Sequence, residues 1–188
     1  MKMGIIAEDE SDVGVLREVT LALLKPDVIG FCGRIGNGCG KLRRKCGIWA
    51  QNLVSQGCSW IVVVHDLDEN NEQQLRTKLS LAIAPARAKA SVVLIPKREI
   101  EAWLLYDASA IAAAFRERKP PRVPGNPEAL VDPKKHLRDL VRKKYDREYL
   151  STIHNQLIAK HINLALLKKS GSFMPHVNFT NSVKEMLS

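Results

Sequence analysis

Residues 59–70 read SWIVVVHDLDEN. Ile61 to Val64 are an unbroken β-branched run, and two carboxylates one residue apart, Asp66 and Asp68, follow it closely. An apolar run without polar alternation is the pattern of a strand buried on both faces, as in a parallel sheet covered by helices. Asp66 and Asp68 then stand at the C-terminal end of that strand, the edge at which open α/β sheets carry ligands.

Upstream, residues 3–7 form a compact apolar run that ends in Glu8-Asp9-Glu10 and reads as a first strand. Ser11 is the expected N-cap of a helix whose apolar positions, Val13, Leu16, Val19, Thr20, Leu23 and Leu24, recur at helical spacing until Lys25-Pro26. Residues 27–32 predict a second strand, interrupted by Gly30. A helix through Leu42, Cys46, Trp49, Ala50, Leu53 and Val54 stops at Gln56-Gly57 and leads into the central strand. Beyond Asn70 a helix runs through Leu75, Leu79 and Ala82 to Pro85, and residues 91–95, SVVLI, make a fourth strand. Pro96-Lys97-Arg98 breaks that strand, and a helix is expected from Glu99 through Leu105. Strands alternating with helices predict an α/β, Rossmann-like fold with a four-stranded, mainly parallel sheet flanked by helices.

After Phe115 the chain changes character. Residues 116–133 hold five of the nine prolines, which predicts a wrapping loop. Asp132-Pro133 then opens a basic helix, KKHLRDLVRKKY, and an amphipathic stretch follows through Ile153, Leu157, Ile158, His161, Ile162, Leu164 and Leu167. The expected organisation is an α/β domain over 1–115, with 116–188 a Pro-rich loop and helical extension packed on the same domain. His154 and His161 have no acidic or cysteine partner nearby in sequence and read as ordinary surface or core residues. Residues 172–175, SFMP, are a candidate for packing back on the core.

The 188 residues suit one domain with a real core, and a formal charge of +9 favours polyanionic partners. There is no 18-residue apolar run, and the opening MKMGIIAEDE turns acidic too early for a signal peptide, so no membrane association and a cytoplasmic location are expected. Cys32, Cys39, Cys46 and Cys58 include no C-x-x-C pair, which points away from zinc and towards reduced thiols. The glycine-rich stretch GRIGNGCGKLRRK, residues 33–45, is not a nucleotide P-loop, because Ile35 stands where the first glycine belongs and Leu42 replaces the hydroxyl. It reads either as a flexible basic loop touching a phosphate backbone through Arg34, Lys41, Arg43 and Arg44, or as a solvated connection.

A parallel sheet brings five carboxylates to one edge: Glu8 after the first strand, Asp66 and Asp68 after the third, Glu99 and Glu101 after the fourth. Negative charge at a helix N-terminus is favourable in itself, so either glutamate also has a purely structural reading. Gathered like charges need compensation, and a hard divalent cation such as Mg²⁺, or Mn²⁺ in its place, takes such oxygen ligands. A cation held this way polarises a phosphodiester and activates water, while an unligated carboxylate moves the proton. Phosphoryl transfer on nucleic acid is the natural reaction class, with Lys97, Lys134 and Lys135 as further candidate phosphate contacts.

The ordered motifs GIIAE with Glu8, VVVHDLD with Asp66 and Asp68, EAWLL over 101–105 and DPKK over 132–135 resemble those of the Toprim domain superfamily. The likeness is greatest to small stand-alone Toprim-like proteins related to nucleases of the overcoming-lysogenisation-defect family, and it covers about residues 3–135. It implies Mg²⁺-dependent phosphodiester hydrolysis, with Glu8 as general acid or base, Asp66 and Asp68 as metal ligands and Glu101, helped by Glu99, completing the site. It also implies DNA or RNA as substrate, a partner ATPase and a role in phage defence or DNA processing. Asn70 departs from the family pattern, standing where a third aspartate often occurs, which weakens a second metal position. Tyr106, Tyr145 and Tyr149 have ordinary packing explanations, so hydrolysis is favoured over a tyrosine transesterification. Two rivals remain: a catalytically idle Toprim-like subunit that binds nucleic acid or a partner, and a receiver-like phosphorylation switch with Asp66 as acceptor. The oligomeric state, a homo-oligomer included, stays open.

Overall fold

The computed structural model describes residues 1–25, 27 and 29–187. Pro26 and Val28, which the sequence reading uses to stop the first helix and to begin the second strand, lie outside the described residues. Four strands, β1 (Lys2–Ala7), β2 (Gly30–Ile35), β3 (Cys58–Val64) and β4 (Ala90–Leu94), form one all-parallel sheet in the order β2-β1-β3-β4. The connecting helices are α1 (Glu10–Leu24), α2 (Cys39–Ser55) and α3 (Glu72–Ile83). This is a doubly wound arrangement, and its topological switch point, where the chain turns one way after β1 and the other way after β3, lies between those two strands.

The α/β, Rossmann-like expectation is met, and the physical reason is the burial of β1 and β3 on both faces. Met3, Ile5, Ala7, Trp60, Val62 and Val64 enter one core, whereas Ile6, Ile61 and Val63 enter the other. The second core is closed by Leu42, Cys46, Ala50 and Leu53 of α2 with Leu75, Leu79 and Ile83 of α3. Each such aliphatic side chain contributes about 1.5–3 kcal/mol on full burial. Close approach is built in at Gly47, where a Cβ would stand 2.6 Å from the Ala82 carbonyl oxygen.

The remaining helices are α4 (Glu101–Leu104), α5 (Ala108–Ala114), α6 (Pro133–Tyr145), α7 (Ser151–His161), α8 (Leu164–Leu167) and α9 (Met174–Leu187). They cover the face carrying Trp60. Leu137, Val141, Ile158, Phe173 and Val183 share one apolar cluster with Met3 and Trp60, so the helices after Phe115 close this face together with Leu16 and Val19 of α1 and Trp103 and Leu104 of α4. Within residues 172–175, Phe173 packs edge-on against Trp103 at 5.2 Å, and the Trp103 indole N–H donates to Ser172 Oγ at 2.8 Å. His154 stacks on Phe115 with ring centroids 4.3 Å apart and accepts the Leu150 N–H.

Several local expectations need correction. The cap of α1 is Asp9, not Ser11: Asp9 accepts the Ser11 and Asp12 N–H groups while Asp12 accepts the Asp9 N–H, a closed capping box. The second strand runs over Gly30–Ile35, further along than 27–32, with Gly30 as its first residue. It is an edge strand, only half-buried, so no apolar run marks it. The supposed basic loop at 33–45 is largely regular, with Gly33 and Arg34 in β2 and Lys41, Arg43 and Arg44 in α2. The helix expected from Glu99 begins at Glu101, and the stretch over 153–167 is two helices divided at Asn163, which caps α8 through the Ala165 N–H.

Candidate functional site

β1 ends at Ala7 and β3 at Val64, so Glu8 and Asp66 emerge side by side at the switch point. Their link is direct: the Asp66 N–H donates to Glu8 Oε1 at 3.2 Å. Glu8 Oε1 also lies 3.1 Å from Nδ1 of His65, a fully buried ring whose Nδ1 is 2.6 Å from the Asp66 carbonyl oxygen. Both neighbours of Nδ1 are acceptors, so the proton sits there. Burial lowers the His65 pKa, which favours the neutral imidazole, and Nε2 is a buried nitrogen without a hydrogen-bond partner among the described residues. Burial also pushes Glu8 up to about 7, with Asp68 and Asp9 adding like charge, against the lowering effect of the Asp66 N–H and Arg43.

Glu101 reaches the same cluster from the first turn of α4 and is 3% exposed. Its Oε1 lies 3.2 Å from the Tyr149 hydroxyl, 3.1 Å from Asn155 Nδ2 and 3.8 Å from Lys134 Nζ. Tyr149 Oη is also hydrogen-bonded to Asn155 Oδ1. Asp12 completes the group, and its pKa, like that of Asp66, is raised well above the ordinary carboxylate range. The cause in both is desolvation, followed by neighbouring carboxylates: Asp12, Glu8 and Glu101 around Asp66, Asp9 and Glu101 around Asp12.

The protein therefore occupies only part of each carboxylate. The contacts to Glu8 fall on Oε1, those to Glu101 on Oε1, and the one to Asp12 on Oδ2, while the Asp66 carboxylate accepts no hydrogen bond from the described residues. Oxygen donors, like charge and unclaimed lone pairs fit a hard cation in chemistry. Among the described residues, no group of three His, Cys, Asp or Glu side chains is already drawn together in metal-binding geometry. Cation entry would thus need carboxylate rotations to gather the free oxygens.

The other expected site residues divide. Asp68 is exposed with φ +46, and Glu99 is half-buried, its Oε2 accepting the Lys134 N–H at 2.9 Å. Burial raises the Glu99 pKa, with Glu101 and Asp132 adding to the effect. Lys134 belongs to the acidic cluster: burial lowers its pKa, but Glu101, Asp9, Glu99 and Asp12 outweigh that and leave it raised. Arg43 faces Glu8 electrostatically and donates to Asn70 Oδ1 at 3.1 Å, while Asn70 Nδ2 donates to the Leu67 carbonyl. Asn70 is thereby committed to holding its loop. Lys41, Arg44 and Lys97 are exposed, and Lys135 pairs with Asp139 at 2.9 Å. Arg34 stands apart, donating to Gln56 Oε1 at the far end of α2. The sequence reading missed His65, Asp9, Asp12, Asn155 and the Tyr149 contact. The D-x-x-D spacing and a histidine ending an apolar run were the available signals for the first three.

Fold and site together define a doubly wound α/β protein with a carboxylate cluster at its switch point. Residues 36–178 match the family model described as Domain of unknown function (DUF4276), and the chain belongs to that family. The match takes in Asp66, Asp68, Glu99, Glu101, Lys134, Tyr149 and Asn155, whereas Glu8 precedes it. No curated protein and no solved structure matches the chain. Among the described residues, no helix is long and apolar enough to cross a membrane.

Proposed function

We propose that this protein is a cytoplasmic, Toprim-like nuclease that hydrolyses nucleic-acid phosphodiester bonds with a divalent cation. The observation that carries the reading is the excess of partly unclaimed carboxylate at the switch point, above all the Asp66 carboxylate, which accepts no hydrogen bond from the described residues and lies beside Glu8 and Glu101. Asp66 and Asp68 would hold Mg²⁺ or Mn²⁺, with Glu101 through its free Oε2 and Glu99 behind it. Bound there, the cation supplies Lewis-acid polarisation of the phosphodiester and a more acidic water. Glu8 is the proton carrier: it stands beside Asp66 without being assigned to the cation, burial raises it to about 7 in the metal-free protein, and His65 fixes its Oε1. Arg43, beside Glu8 and Asn70, offers positive charge to a phosphate arriving at this edge. A partner ATPase and a role in phage defence belong to the same proposal.

A second reading, a subunit that binds nucleic acid without cutting it, is favoured by Lys134, a built-in counter-charge 3.8 Å from Glu101. The deciding experiment is incubation of labelled DNA and RNA with the purified protein in Mg²⁺, Mn²⁺ or EDTA, beside Glu8→Gln. Metal-dependent products that vanish in the variant establish the nuclease. Retained nucleic-acid binding with no products under any condition sinks it in favour of the binding subunit.

A further inference from the structure

Beyond the carboxylate edge, the surface carries a second charged feature. Helix α6 places Lys134, Arg138 and Arg142 at i, i+4 and i+8, which is one stripe, with successive members about 6 Å apart along the axis. One end of the stripe is Lys134, against Glu101. The other opens into a groove of about 570 Å³ lined by Arg138, Arg142 and Arg147, with Asp146 and Glu148 on its walls and Tyr149 among its lining residues. All three arginines are exposed, and among the described residues none has an ion pair or side-chain hydrogen bond, although two carboxylates share the groove. Tyr149 is buried, and its hydroxyl meets Glu101 on the cluster side. One residue therefore connects the groove to the acidic site.

Unpaired guanidiniums in a concave surface are suited to phosphate, whose oxygens their planar forks engage two at a time. A line of cations leading towards a carboxylate site suits a substrate whose anionic groups repeat along a chain. We propose that the α6 stripe and the Arg138–Arg142–Arg147 groove bind the phosphate backbone of a nucleic acid and lead it to the carboxylate edge. The inference rests on the nucleic-acid reading above and gives it a binding track on the C-terminal helices, separate from Lys41, Arg43 and Arg44 on α2.

The test is equilibrium binding of fluorescein-labelled single-stranded DNA and RNA oligonucleotides of one sequence, in EDTA so that no cleavage intervenes, across a NaCl series. Each backbone phosphate neutralised on a single strand adds about 0.7 to the slope of log affinity against log salt. Arg138→Gln with Arg142→Gln is expected to lower that slope by about 1.4 on whichever polymer is the ligand. Lys143→Gln with Lys144→Gln removes equal charge from residues lining a different surface depression and is expected to change the slope by less than half as much. Thermal melting of both variants checks that these exposed substitutions leave the fold intact. An equal change in both pairs, or none in the groove pair, overturns the track while leaving nucleic-acid binding in place. Failure of the unaltered protein to bind either polymer overturns the track and the nucleic-acid reading together.

Discussion

The Tyr149 hydroxyl lies 3.2 Å from Glu101 Oε1, joining the segment between α6 and α7 to the first turn of α4 across 48 positions of sequence. Asn155 Nδ2 meets the same oxygen at 3.1 Å. An acidic side chain 3% exposed is tolerable only because these donors and Lys134 compensate its burial. Tyr149→Phe removes one donor and keeps the ring's packing, so it is expected to cost about 1–2 kcal/mol in urea denaturation. Adding Asn155→Ala should cost more than the two single losses summed, because Glu101 is then left with Lys134 alone. Simple additivity would show that the three side chains do not act as a unit.

Glu8 links folding to pH. Its pKa rises from 4.5 to about 7 in the folded protein, first through burial and then through Asp68 and Asp9. Below pH 4.5 both states hold the proton, and between there and about 7 only the folded state does. The resulting stability is therefore full at low pH and lost as pH rises through 7. In EDTA, Glu8→Gln should remove this dependence and be more stable than the unaltered protein at pH 8 by about 1–2 kcal/mol, after discount for solvent screening. Parallel stability–pH curves for the two proteins would contradict the shift.

Glu128 fastens the C-terminal helices. Its carboxylate accepts from the Ser170 and Ser172 hydroxyls and from the Gly171 and Ser172 N–H groups, and Ser172 in turn accepts the Trp103 indole N–H. Burial pushes the Glu128 pKa up, but these donors outweigh it and hold the carboxyl below its usual value. A depressed carboxylate gives stability at neutral pH that disappears as pH falls through its folded pKa. Glu128→Ala should cost about 2 kcal/mol at pH 7. Hydrogen exchange should quicken at Gly171 and Ser172 while staying slow in β1 and β3; unchanged exchange at those two amides would remove Glu128 from this role.

What the sequence discloses follows the kind of interaction involved. β1 and β3 are legible because strands buried on both faces need continuous apolar runs, and Glu8 and Asp66 are legible because carboxylates follow those runs where the strands end. β4 is also an edge strand, but its apolar run, which ends in the buried Val93 and Leu94, still marks it. β2 is displaced from its expected position because a half-buried edge strand tolerates Gly30, Gly33 and Arg34 and leaves no such run. Asp9 and Ser11 are both good capping residues, and only the reciprocal bond from Asp12 decides between them. Lys134 stands out in sequence through its basic neighbours, but its contact with Glu101, 33 residues away, leaves no local signal. Tyr149 and Asn155 carry no local signal at all, since their role exists only once α7 and the residues before it pack against Glu101 of α4.

Asp66 provides the sharpest test of the cation. Its carboxylate has no donor among the described residues and faces Asp12, Glu8, Glu101 and Asp68, so in the metal-free protein it is a source of repulsion. Asp66→Asn should therefore be at least as stable as the unaltered protein in EDTA at pH 8. Mg²⁺ at ten times its dissociation constant adds about 1.4 kcal/mol to a folded state that binds it at one site. For a chain of this length that raises the melting temperature by about 3–6 °C. The rise should be present in the unaltered protein and absent in Asp66→Asn, whatever the protein cleaves. A rise of the same size in both would place the cation elsewhere. A variant much less stable in EDTA would mean that Asp66 is held by favourable contacts, and the excess of carboxylate would no longer argue for a metal.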